Sequence, residues 1–143
     1  PTARIQVCEL QEETRRILQA KGYAVIAADF FGLNFAPPEA ADLAEGFFDR
    51  VVMNPPFSKN QDIEHVGRAF GLLKYGGRLV SVMGAGIRFR TDQKTARFME
   101  FVRAAKGEVE DLPEESFKAS GTSVNCVIVT LIRESGHDHA RQP

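Results

Sequence analysis

The chain has 143 residues, the length of one domain, and it is 43% hydrophobic and 26% charged, which excludes wholesale disorder. Its 18 Lys and Arg stand against 19 Asp and Glu, a net charge of −1, so a nucleic-acid partner would have to meet a local patch or be held mainly by another domain. No apolar run approaches the roughly 20 residues that cross a bilayer, and no membrane partner is expected.

Short apolar runs alternate with helical patterns, the signature of an α/β domain. Arg4 to Cys8 reads as a strand. Leu10 to Lys21 reads as a helix with Leu10, Thr14, Ile17 and Leu18 on one face, a Glu12–Arg16 pair, and a stop at Gly22. Tyr23 to Ala28 is a second strand, and Asn34 to Gly46 a connection holding Pro37 and Pro38. Phe48 to Met53 is a third strand, ended abruptly by Asn54-Pro55-Pro56-Phe57, because consecutive prolines cannot continue a central strand. Ser58 and Gln61 have capping-box spacing. They open a helix expected to run to about Tyr75, with Ile63, Val66, Phe70 and Leu73 buried and Gly76-Gly77 ending it.

Arg78 to Met83 is a fourth strand, Thr91 to about Lys106 a third helix, Glu108 to Leu112 a weak strand, and Val124 to Ile132 the last and most β-prone run. The apolar strands predict a sheet covered on both faces and mostly parallel. The last two strands are joined without a helical pattern, which predicts an antiparallel strand near one edge. Residues 1–133 form the expected domain and residues 134–143 a polar tail. Cys8 and Cys126 lie inside strand-like stretches, no Cys-x-x-Cys pair exists, and the three histidines are scattered. That pattern predicts neither a disulfide framework nor a metal site and fits a reducing cytoplasm.

In open parallel sheets, ligands bind beyond the carboxyl ends of strands. Glu9 follows the first strand, Asp29-Phe30-Phe31 the second, Asn54-Pro55-Pro56-Phe57 the third and Gly84-Ala85-Gly86 the fourth. A carboxylate at Glu9, beside Leu10, can accept both hydroxyl hydrogens of a ribose. Asp29 can accept from the amine of an adenine ring, and Phe30 or Phe31 can stack on it. Together they suit an adenosine-containing cofactor. Taken singly, each acid reads first as a surface residue, Glu9 as one that favours a helix start.

Asn54 sets a side-chain carbonyl beside the Pro55 backbone carbonyl on a turn whose two prolines fix φ and remove two donors. Two fixed acceptors suit an NH₂ group on a planar system, and Phe57 offers a face for that system. After Gly86, the run Ile87-Arg88-Phe89-Arg90 interleaves cations with apolar and aromatic residues. With Lys94 and Arg97 it makes a local basic cluster able to meet a nucleic-acid backbone.

Phe48-Asp49-Arg50-Val51-Val52-Met53 followed by Asn54-Pro55-Pro56-Phe57 resembles the fourth motif of the S-adenosylmethionine-dependent amino-methyltransferases. These enzymes methylate the exocyclic amine of adenine in DNA, base amines in RNA, or a glutamine amide in protein. Val7-Cys8-Glu9 resembles the family's second motif, Ala28-Asp29-Phe30 its third, and Gly76-Gly77-Arg78-Leu79-Val80 the turn into the next strand. Ser116 to Asn125 resembles the substrate-side loop of adenine methyltransferases in restriction-modification settings, where Lys118 would meet a phosphate and Gly121 would permit close approach.

The resemblance spans about Arg4 to Ile132 and implies a Rossmann-like sheet. It implies S-adenosylmethionine held by Glu9, Leu10, Asp29, Phe30 and Asn54, and an amine positioned by Asn54, Pro55, Pro56 and Phe57. Substrate contacts would come from Phe57, Arg88, Lys118 and Gly121. DNA adenine N6 is the leading substrate. RNA guanine N2, protein glutamine N5 and a non-catalytic nucleic-acid-binding module are the alternatives. One departure stands out. The family's first motif, a strand and glycine-rich loop, should precede Glu9 by a strand and a helix, yet only eight residues do, none of them glycine. The expectation is a fragment or a chain lacking its first strand, with weak cofactor affinity and poor stability alone.

Overall fold

The computed structural model describes residues 4–33, 46–114, 116–117 and 124–135. The chain divides into two compact units, Pro1–Ala40 and Ala41–Pro143. In the N-terminal unit, β1 (Gln6–Cys8) leads through α1 (Glu12–Ala20) to β2 (Ala24–Ala27), and the two strands pair in parallel. The Glu12–Arg16 pair forms one turn apart on the surface of α1. Gly22, at φ +86°, turns the chain toward β2. No residue described in this unit is buried.

The C-terminal unit carries β3 (Phe48–Met53), α2 (Gln61–Gly71), β4 (Leu73–Gly84), α3 (Gln93–Ala104), β5 (Glu108–Asp111) and β6 (Cys126–Ile132). Its sheet has the order β3-β4-β6-β5. β3 and β4 are parallel, while β6 is antiparallel to both β4 and β5. Only β6 therefore runs against the other strands of this sheet, as the absence of a helical sequence pattern before it implies. The fold class is the expected one: a mostly parallel α/β sheet with an antiparallel strand near one edge.

Register decides which side chains make the core. Leu79 pairs with Leu131, Ser81 with Val129 and Met83 with Val127, and all six are fully buried on one face. α2 packs on β4, contributing buried Ile63, Val66 and Ala69. Gly107 lies between Leu131 and the Val102 side chain of α3, where a Cβ would come within 2.5 Å of Leu131 Cδ2. The ring of Phe70 meets that of Phe101 edge-on at 5.0 Å, joining the two helices. The opposite face is less covered than the apolar strands imply: Val80, Val82, Ile128 and Thr130 are half-buried and Val52 is 84% exposed.

Two local expectations are corrected. Helix α2 ends at Gly71 rather than near Tyr75, and Leu73 is buried as the first residue of a strand. The amides of Phe47 and Phe48 both donate to the Leu72 carbonyl, at 2.8 and 3.0 Å, which draws the chain into the sheet. Gly46 permits this close approach, since a Cβ there would lie 2.0 Å from the Leu73 carbonyl oxygen. Gly76 and Gly77 fall inside β4, where the Gly76 amide donates to Arg133 O at 2.7 Å. The second correction concerns the capping box. Gln61 donates to the Ser58 hydroxyl at 3.0 Å, but Ser58–Asn60 is a 3₁₀ turn and α2 starts after Asn60 without a side-chain cap.

Candidate active site

Because β1 and β2 are parallel neighbours, the residues that follow them leave the same end of their sheet. Glu9 donates its amide to Ala27 O at 3.3 Å. Its Oε1 accepts from Gln11 N at 2.8 Å, at the start of α1. Asp29 behaves alike: Oδ1 accepts from Phe31 N at 3.0 Å and caps a 3₁₀ turn, Phe30–Gly32. Each carboxylate thus steadies a helical start with one oxygen and keeps the other. Burial, followed by the charges of Asp29 and Glu9, pushes the Cys8 thiol up. Phe30 is half-buried and meets Phe31 edge-on at 5.8 Å. Leu10 is exposed. The Arg15 guanidinium closes on the carbonyls of Glu9 and Leu10.

At the end of β3 the local chemistry is different. Asn54 is exposed, and its side chain has no hydrogen-bond partner among the described residues. Pro55 is buried, Pro56 exposed and Phe57 half-buried. Lys59 and Asn60 then adopt left-handed backbone at φ 54° and 57°, an unfavourable conformation for side chains with a Cβ. This reversal sets Asp62 into the interior at the first turn of α2.

Asp62 is fully buried. Its Oδ1 accepts from Ile63 N at 3.0 Å and its Oδ2 from Gly84 N at 3.2 Å, at the end of β4. A Cβ on Gly84 would touch Phe57 Cγ at 3.7 Å and Asp62 Oδ2 at 3.8 Å. A buried carboxylate therefore pins the loop after β3 to the strand end of β4, with the Phe57 ring against the same glycine. Sequence reasoning misses Asp62, because an acid opening a helix reads as solvated. Its spacing from Asn54 carries no signal that it turns inward.

The basic cluster is partly neutralised. The Arg88 guanidinium donates to Asp111 Oδ1 and Val109 O, both at 2.8 Å. Lys94 pairs with Glu64 and, mainly through that hydrogen bond, holds the Glu64 carboxyl below its usual range. Arg90 and Arg97 form no salt bridge among the described residues. Lys118 and Gly121 lie outside the described residues, as do His137 and His139. No group of His, Cys, Asp and Glu among the described residues could hold a metal ion.

No protein-family model matches the chain, and no curated protein matches it in sequence. Solved structures do. The chain superposes over 90% of its length on the methyltransferase subunit of a type I restriction-modification system from Streptococcus thermophilus, with a TM-score of 0.67 and 19% identity. It spans 34% of that subunit. The fold is that of the Rossmann-like methyltransferases. A protein from Agrobacterium tumefaciens, described as a predicted O-methyltransferase, matches over 94% of this chain and 64% of its own, with a TM-score of 0.56 and 20% identity. An rRNA methylase from Streptococcus thermophilus matches over 92% of this chain and 74% of its own, at 0.51 and 13%. One fold thus serves proteins described by unlike substrates, and substrate choice must be argued from side chains. No helix among the described residues is long and apolar enough to cross a membrane.

Proposed function

We propose that this chain is the core of an S-adenosylmethionine-dependent methyltransferase acting on an exocyclic amine, foremost N6 of adenine in DNA. The observation that carries the reading is Asn54. Its side-chain amide stands exposed and, among the described residues, without a partner on a proline-stiffened turn at the end of a parallel strand, shortly before a half-buried phenylalanine. An amide left free in an otherwise hydrogen-bonded neighbourhood is suited to a ligand. Residues 1–133 are assigned to this domain and residues 134–143 to a polar tail.

The residues after β1 and β2 fit the adenosine half of the cofactor. Among the described residues Glu9 and Asp29 each use one carboxylate oxygen locally, which leaves the other for ribose hydroxyls and the adenine amine, with Leu10 and Phe30 next to them in sequence. S-adenosylmethionine supplies an electrophilic methyl group when bound. The rest is positioning. The Asn54 side-chain carbonyl and the Pro55 carbonyl accept the two amine hydrogens and draw them from the ring plane, which leaves the nitrogen lone pair free to attack. Pro56 stiffens the turn, and Phe57 stacks on the flipped base. Rate then comes mainly from alignment of two reactants. Lys118 and Gly121 are assigned to the substrate-side loop.

Arg88 supports the substrate side through the loop it anchors, its guanidinium being bonded to Asp111 and Val109. The test is transfer of labelled methyl from S-adenosylmethionine to duplex DNA, ribosomal RNA and protein in parallel, followed by nucleoside and amino-acid analysis. Label in DNA is the expected result. Label confined to RNA or protein would replace the substrate and keep the reaction. No label in any of the three, with nucleic-acid binding retained, would make the chain a binding module.

A further inference from the structure

The segment after β4 carries a feature that methyl transfer does not use. β3 and β4 are parallel neighbours, so the Asn54 turn and the Gly84–Arg90 segment leave the same end of the sheet. Ala85–Arg88 forms a 3₁₀ turn whose Ile87 is buried. The amides of Phe89 and Arg90 both donate to Gly86 O, at 3.1 and 2.9 Å. Arg88 is tied to β5 through Asp111 and Val109, and Asp92 caps α3 by accepting from Thr95 N at 2.9 Å.

Between these anchors Phe89 is 76% exposed. An aromatic ring held in water on a constrained backbone is a stacking platform rather than a fragment of core. The Arg90 guanidinium folds back over Gly86, whose Cβ, if present, would lie 3.2 Å from Arg90 Cζ. It forms no salt bridge among the described residues, although its charge reaches the Asp92 carboxyl two residues on. A ring beside such a cation matches a polymer that offers both π faces and phosphates. The flanking Arg88, Thr91 and Asp92 are polar and exposed, which disfavours a lipid surface.

We propose that Phe89 stacks on a base of a nucleic-acid strand next to the base offered to Asn54, and that Arg90 meets a phosphate of that strand. This rests on the nucleic-acid reading of the substrate but not on catalysis. The probe is a short fluorescein-labelled single strand, in DNA and RNA versions, followed by anisotropy over a range of salt without S-adenosylmethionine. Phe89→Ala should weaken binding about tenfold with an unchanged salt slope, and Phe89→Tyr should restore it. Arg90→Gln should reduce the salt slope by about one.

Circular dichroism checks that the variants fold, as exposed positions should allow. The tighter of the two versions identifies the polymer. Equal affinity of Phe89→Ala and the unaltered chain overturns the proposal, as does absence of binding by the unaltered chain. If the salt slope is unchanged in Arg90→Gln, the phosphate contact is overturned. Binding that depends on Phe89 in a chain that transfers no methyl would sink the enzyme reading alone.

Discussion

The two units solve the same problem, presenting polar groups at the ends of parallel strands, with opposite support. In the N-terminal unit Asp29 caps its own 3₁₀ turn, Glu9 accepts from the amide just before α1, and no described residue is buried. In the C-terminal unit the Asn54 side chain bonds to nothing described, while a fully buried Asp62 joins two loops over a core that runs from Ile63 to Leu131. A two-stranded sheet without a core is marginal by itself. An unpartnered polar side chain thus stands where packing can hold the backbone for it. Where packing is absent, the acids also make local backbone bonds.

The sharpest way to break this contrast is Asn54→Ala. Since Asn54 is exposed and its side chain meets no described partner, folding should be unchanged, while methyl transfer should fall about 10²–10³-fold, the usual effect of losing one oriented hydrogen-bonding group. Radiolabel transfer beside circular dichroism reads both, and full turnover would remove Asn54 from the mechanism. Next comes Asp62→Ala, which leaves the amides of Ile63 and Gly84 buried without their acceptor and should cost about 1–3 kcal/mol in urea denaturation. A silent variant would mean the clamp carries no weight.

Glu9→Ala removes only a local bond at the start of α1 and should cost about 0.5–1 kcal/mol. If it cost as much as Asp62→Ala, the proposed asymmetry would be wrong. The smallest effect is on pH. Hydrogen bonds from the amide and hydroxyl of Thr95 hold Asp92 below its ordinary 3.8, and Lys94 holds Glu64 below 4.5. Both contributions are present above those ordinary values and are lost as pH falls through the depressed ones. Thermal melts should therefore drop on acidification below the ordinary carboxylate range. The drop should be shallower in Asp92→Asn, which keeps a cap without a charge; an identical slope would exclude Asp92 as a source.

Much of this architecture is legible in the residues alone. β3 has the expected bounds because a β-branched run ends in two prolines, and that same punctuation marks the Asn54 turn. The end of α2 is not legible: apolar spacing through Leu72 and Leu73 continues a helix as well as it begins a strand, and only pairing with Phe48 decides between them. Arg88 reads as free because its partners, Val109 and Asp111, lie 21 and 23 residues on. The inward turn of Asp62 depends on left-handed backbone at Lys59 and Asn60, residues with no glycine to announce it. Partners distant in sequence and uncommon backbone leave little trace in local periodicity.

The most direct test of the central claim is the identity of the methylated atom. Duplex DNA incubated with the chain and methyl-labelled S-adenosylmethionine would be digested to nucleosides and resolved by mass spectrometry. Label on N6 of adenine is the expected result. Label on a ring carbon or on an oxygen would contradict the role given to the Asn54 and Pro55 acceptors.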